Sequence, residues 1–203
     1  NVASAKALLA DLAVRSNLED TFGSAYALSA TPARIPLETG DWVGAAALPA
    51  ELIPAITWAR YPQAVAMRWF AKGIGAARSG DDEAARAALA ELSGLRDTMD
   101  ERGMGYWVEL TDAQIGTIGA WIALHEGEAD EARALMAEAA DSEDAVGKAP
   151  VTPGHILPAR ELLGDLLMEL GEKDAAVEAY RASMQDSPNR ARSLQALEAA
   201  GGG

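Results

Sequence analysis

The chain has 203 residues, no cysteine and a formal net charge of −14, from 17 basic against 31 acidic side chains. A chain of this length builds a substantial core, and a hydrophobic share of 49% excludes an intrinsically disordered protein. The acidity leaves no basic face for nucleic acid or anionic lipid, and the missing cysteines exclude disulfides, thiolate metal sites and cysteine nucleophiles. No apolar run reaches the roughly 18 residues that a membrane-spanning helix needs, so no membrane insertion is expected.

Alanine, leucine and glutamate dominate and β-branched residues are sparse, which favours helix throughout. Residues 1–60 read as a degenerate opening hairpin around "GDWVGA", from Gly40. Pro32 and Pro36 fall where its first helix should run, and an interior proline removes a hydrogen bond and crowds the preceding turn. A short or kinked hairpin is therefore expected. Residues 66–99 form a second hairpin around "GDDEAA", from Gly80. The stretch 100–110, "DERGMGYWVEL", turns and then lengthens the next helix. Residues 113–146 form a third hairpin around "GEADEA", from Gly127. Residues 145–158, "AVGKAPVTPGHILP", carry three prolines and two glycines and are the longest stretch without helical pattern. Residues 157–190 form a fourth hairpin around "GEKDAA", from Gly171, and 191–203 end the chain as a terminal helix.

The four glycines, at 40, 80, 127 and 171, each precede an acid and stand five residues before an alanine. The glycine ends one helix in a left-handed conformation, and the acid sits near the positive start of the next. The alanine lets the two helices cross closely. The residue four further on, Leu89, Met136 or Tyr180, fills the space between them.

This pattern resembles the tetratricopeptide repeat. The best match is 157–190, with Leu163, Gly164, Leu167, Gly171, Ala176, Tyr180 and Pro188 on signature positions. Arg160 departs where the family often has an aromatic residue, and Ser183 stands where alanine is usual. Residues 66–99 match through Trp69, Gly73, Gly80, Ala85 and Leu89, and 113–146 through Ala120, Gly127, Ala132, Met136 and Ala139. The resemblance implies one all-α domain over 1–203, a superhelical solenoid of antiparallel helix hairpins. From about Ala25 onward, "GDWVGAAAL", "DSEDAVGKAPVTPG" and "PARELLGDLLMELG" also resemble the C-terminal part of larger, often exported bacterial repeat proteins of unassigned function. That likeness, with a chain starting at Asn1 without a signal peptide, implies a piece of a longer protein. An exported or periplasmic location is implied, with the cytoplasm as the alternative.

A search for chemistry finds little. "GIGAARSG", from Gly73, has two glycines of a dinucleotide fingerprint, but Arg78 takes the third position and no strand precedes it. Close helix packing explains it better. His125–Glu126 lacks the second histidine of a zinc motif. "DSED", residues 141–144, lacks the spacing of a calcium loop and reads as a solvated helix end. His155, Glu161 and Asp165 could share a site, and Arg160 reads as a surface ion pair. No cofactor and no catalysis are expected.

In the family's arrangement the first helix of each hairpin lines a concave groove. Residue by residue this implies Phe70 and Arg78 from one hairpin, Gln114, Trp121 and His125 from the next, and Glu161, Asp165 and Glu169 from the last. Tyr106 and Trp107 could reach the same groove, while Trp69 reads as core. The implied function is a non-catalytic module binding a protein or peptide, with the acidic end favouring a basic segment. Self-association through the terminal hairpin is a further expectation. The alternative is a small-ligand or metal site in the groove, covered by 145–158 as a lid.

Overall fold

The structure is a computed structural model and describes residues 2–15, 17–49, 53–147 and 155–202. Among the described residues it has ten α-helices, a single 3-10 turn and no strand. Where the repeats imply one domain, the chain divides into two compact units, Asn1–Val108 and Glu109–Gly203.

The first unit contains α1 (Val2–Ala13), α2 (Phe22–Thr39), α3 (Trp42–Ala46), the 3-10 turn Trp58–Arg60, α4 (Pro62–Arg78) and α5 (Asp82–Glu101). Thr21 caps α2, its hydroxyl accepting the Ser24 N–H at 3.2 Å. The helix then runs unbroken through Pro32 and Pro36. The hairpin expected to be short or kinked thus has an 18-residue first helix, and its shortness falls on the five-residue α3. The two prolines stand one turn apart, so only the carbonyls of Leu28 and Pro32 lose their donors. A buried stripe of Ala25, Ser29, Ala33 and Leu37, each at 0% exposure, holds the helix across the gap.

α4 is the centre of this unit and packs on α2, α3 and α5. Pro62 opens it, where a missing N–H costs nothing. A Cβ on Gly75 would lie 2.5 Å from the Ala46 nitrogen and 2.6 Å from the Trp42 oxygen, so only glycine lets α3 lie against α4 here. Lys72 then donates to the carbonyls of Ala46 at 3.1 Å and Leu48 at 2.7 Å, satisfying the open end of α3.

α6 (Gly105–His125) carries the division between the units within its length. Tyr106 and Trp107, in its first turn, belong to an aromatic cluster: Trp107 meets Phe22 edge-on at 5.9 Å and lies 6.5 Å from Tyr26. The second unit continues with α7 (Ala129–Val146), α8 (Ala159–Glu169), α9 (Lys173–Asp186) and α10 (Ala191–Ala200). α8 is its central helix, packed on α7, α9 and α10.

The repeated turn has one geometry in all four copies. Gly40, Gly80, Gly127 and Gly171 have φ between 66° and 85°. The N–H of the following acid returns to the carbonyl five residues earlier: Asp41 to Pro36 at 2.9 Å, Asp81 to Ala76 at 3.0 Å, Glu128 to Ala123 at 2.9 Å and Glu172 to Leu167 at 2.8 Å. Together with the glycine's own N–H, which returns to the carbonyl three residues earlier, this bond closes orphan carbonyls of the first helix. The acids differ in use. Asp41 and Asp81 cap the next helix through Gly44 and Ala84, whereas Glu128 and Glu172 make no such bond. The alanines five residues on, Ala45, Ala85, Ala132 and Ala176, are all at 0% exposure. Opposite the last of them, a Cβ on Gly164 would meet the Tyr180 ring at 2.4 Å, so α8 and α9 touch through a bare backbone.

Candidate functional site

The implied groove residues separate into two groups. Phe70 and Trp121 are core, at 1% and 3% exposure. Glu161 and Asp165 are also buried, at 0% and 8%. His125 and Glu169 are exposed at the ends of α6 and α8, and Gln114 and Arg78 are half-buried. Arg78 stacks its guanidinium 4.4 Å above the Trp42 ring. The Gln114 amide oxygen is buried with no hydrogen-bond partner among the described residues.

The structure brings Glu161 and Asp165 together, with Glu169 one turn beyond Asp165 on the same helix. The two acids are four residues apart on α8, so their side chains project from one face. That helix is buried over almost all of Ala159–Leu167, with Arg160 half-buried, and charges taken so far from water require partners. The partners come from α9 and from the start of α10. Arg190 Nε donates to Glu161 Oε2 at 3.0 Å, and Arg192 donates to Glu161 Oε1 at 2.5 Å. Arg192 also bridges to Asp165 Oδ2, and the Ser193 hydroxyl donates to Glu161 Oε2. The Tyr180 hydroxyl donates to the remaining Asp165 oxygen at 3.0 Å. Two carboxylates thus hold two guanidinium groups separated by one residue. Burial opposes the charge on Arg192, and the Asp165 and Glu161 carboxylates more than restore it, holding its pKa above the ordinary arginine value.

A second buried carboxyl lies on α7. Glu143 Oε1 accepts the N–H of Ala159, the first residue of α8, at 2.7 Å. It caps that helix from a neighbouring one. Burial pushes the Glu143 carboxyl up to about 8. The Ala159 hydrogen bond works against this, Asp144 adds to it, and Arg160 opposes it. The raised value favours the protonated carboxyl near neutral pH, and its Oε2 lies 3.3 Å from His155 Nδ1. "DSED" is solvated only in part. Asp141 and Asp144 are exposed and pair with Arg160 at 2.5 and 2.6 Å, while Glu143 points inward.

Three residues of this site, Glu143, Arg190 and Arg192, escape a reading by repeat positions. The available signal was charge: two acids four apart within the leucine-rich stretch of α8, and an Arg-x-Arg strip directly after Pro188–Asn189. Among the described residues no group of three or more histidine, aspartate or glutamate side chains is placed to hold a metal ion. The part of the expected lid at 148–154 lies outside the described residues. Among the described helices none is long and apolar enough to cross a membrane. Comparison with known proteins finds no matching family model, no matching curated protein and no matching solved structure.

Proposed function

We propose that this chain is a non-catalytic binding and scaffold module of tetratricopeptide-like hairpins that takes a basic protein segment on the acidic row of α8. Support for the repeat reading comes from the shared turn geometry, the four buried alanines and the glycine-to-tyrosine contact of the last hairpin. The observation that carries the binding reading is the pair Glu161 and Asp165, which grips two arginines through side-chain bonds alone. Guanidinium groups fit such a site because their planar fork matches a carboxylate. Glu169 extends the acidic row by one turn and is exposed.

The test is a fluorescence-anisotropy titration of labelled arginine- and lysine-rich peptides against the full chain. Saturable binding that weakens with added salt is expected, and the exposed reversal Glu169→Lys lowers affinity at least threefold. The reading is rejected if no basic peptide binds, or if binding ignores that reversal.

A further inference from the structure

We infer that α10 is an internal occupant of the Glu161–Asp165 clamp, displaceable by a partner segment that carries Arg-x-Arg-Ser at the start of a helix. The inference rests on the reading of α8 as a site for basic segments, and it names the partner and the step that admits it.

Four observations carry it. First, α10 lies along α9 and meets α8 through the charged clamp at its start. Ser193 is its only buried residue, Leu194 is 46% exposed, and the side-chain bonds of Arg190, Arg192 and Ser193 into the clamp end on carboxylates of α8. Second, the charges sit at the wrong end for the helix itself. Arg190 is the residue before α10 and Arg192 lies in its first turn, where the macrodipole disfavours cations. Their placement serves the clamp. Third, α10 has ten residues, too few for a stable helix in water without docking, so release and unfolding of this segment are one event. Fourth, the chain turns between α9 and α10 at Pro188 and Asn189, the latter in a left-handed conformation at φ 61°. In the proposal that turn is the hinge on which α10 leaves both α8 and α9. Gly164 of α8 meets the Tyr180 ring of α9 directly, a contact independent of the arginines.

Release also relieves the electrostatic problem it creates. With α10 gone, Glu161 and Asp165 regain water, so removing the arginines frees the segment without leaving a buried unpaired charge. An incoming Arg-x-Arg segment competes with a tethered copy of itself, whose effective concentration is in the millimolar range. Ordinary basic peptides then reach only the exposed Glu169 end, and a matched segment displaces α10.

The experiment uses a labelled peptide of the chain's own sequence, PNRARSLQALEAA, and a control with both arginines replaced by glutamine. Each is titrated against the full chain and against the full-length double variant Arg190→Ala/Arg192→Ala, with helicity followed by circular dichroism. The expected result is at least tenfold tighter binding of the arginine peptide to the variant, and no gain for the control. Equal affinity for both proteins overturns the inference, as does loss of helicity well beyond the ten residues of α10. Hydrogen exchange on the unsubstituted chain is the second arm. The amides of α10 should open separately from those of α8 and at least tenfold more often, and a single joint opening overturns the proposal. If Glu169-dependent binding persists without any gain in the double variant, only the occupant idea fails. If no basic peptide binds either protein, the functional reading fails as well.

Discussion

Ser183 places a hydroxyl on the buried side of α9. It is 4% exposed, and its oxygen has no hydrogen-bond partner among the described residues. An unpaired buried hydroxyl is a net cost, so Ser183→Ala should raise stability by about 1 kcal/mol in a urea titration. Glu143 offers a second test through pH. Its folded pKa of about 8 lies above the 4.5 of the free side chain, so the folded protein holds this proton more tightly than the unfolded one. The resulting stability is complete below pH 4.5, declines as pH rises, and is gone above pH 8. Glu143→Gln keeps an acceptor for the Ala159 N–H and has no charge to bury. Relative to the variant, the parent should therefore lose on the order of a few kcal/mol between pH 5 and 8. Parallel slopes for both proteins over that window would refute the assignment.

The helices differ in how closely they approach, and glycine reports where. In the α3–α4 contact a methyl group on Gly75 meets backbone atoms at 2.5 and 2.6 Å, which cannot turn aside. Gly75→Ala should destabilise the first unit by about 1–3 kcal/mol. Gly94 lies in the middle of α5, exposed, with nothing within 4 Å of an added Cβ. Gly94→Ala should stabilise by about 0.5–1 kcal/mol, because alanine loses less backbone freedom on folding. Thermal unfolding of the two variants checks both signs. In the second unit, Arg133 of α7 pairs with Asp130 on its own helix and with Glu172 at the start of α9. The repeated acid that caps its own helix in two copies thus links neighbouring hairpins in this one.

Across the whole chain the charge of −14 sets what approaches at long range. Duplex DNA should leave its mobility in a native gel unchanged even at low salt, and a retarded band would contradict the charge argument. A basic segment is attracted by the same field, which favours rapid encounter before any local fit. In the folded chain Glu161 and Asp165 are already paired with Arg190 and Arg192, which leaves Glu169 as the exposed acid of α8.

The amino-acid sequence by itself determined the hairpins. A glycine with positive φ, an acid after it and an alanine five residues later act through backbone geometry and bonds spanning a few residues, so "GEKDAA" carries its own instructions. It also marked Gly164, Ala176 and Tyr180 as the contact between α8 and α9. Only the tertiary structure decided what the acids of α8 do. By position they looked like open groove, yet the arginines and serine that cover them lie 27 to 32 residues away and reach them only because the chain folds back after α9. Capping and helical period are local, whereas the fate of a charge depends on which helix covers it. The same reason separates the prolines of α2 from their reputation as breakers. The local rule counts two lost hydrogen bonds, and the buried face that outweighs them exists only in the packed unit.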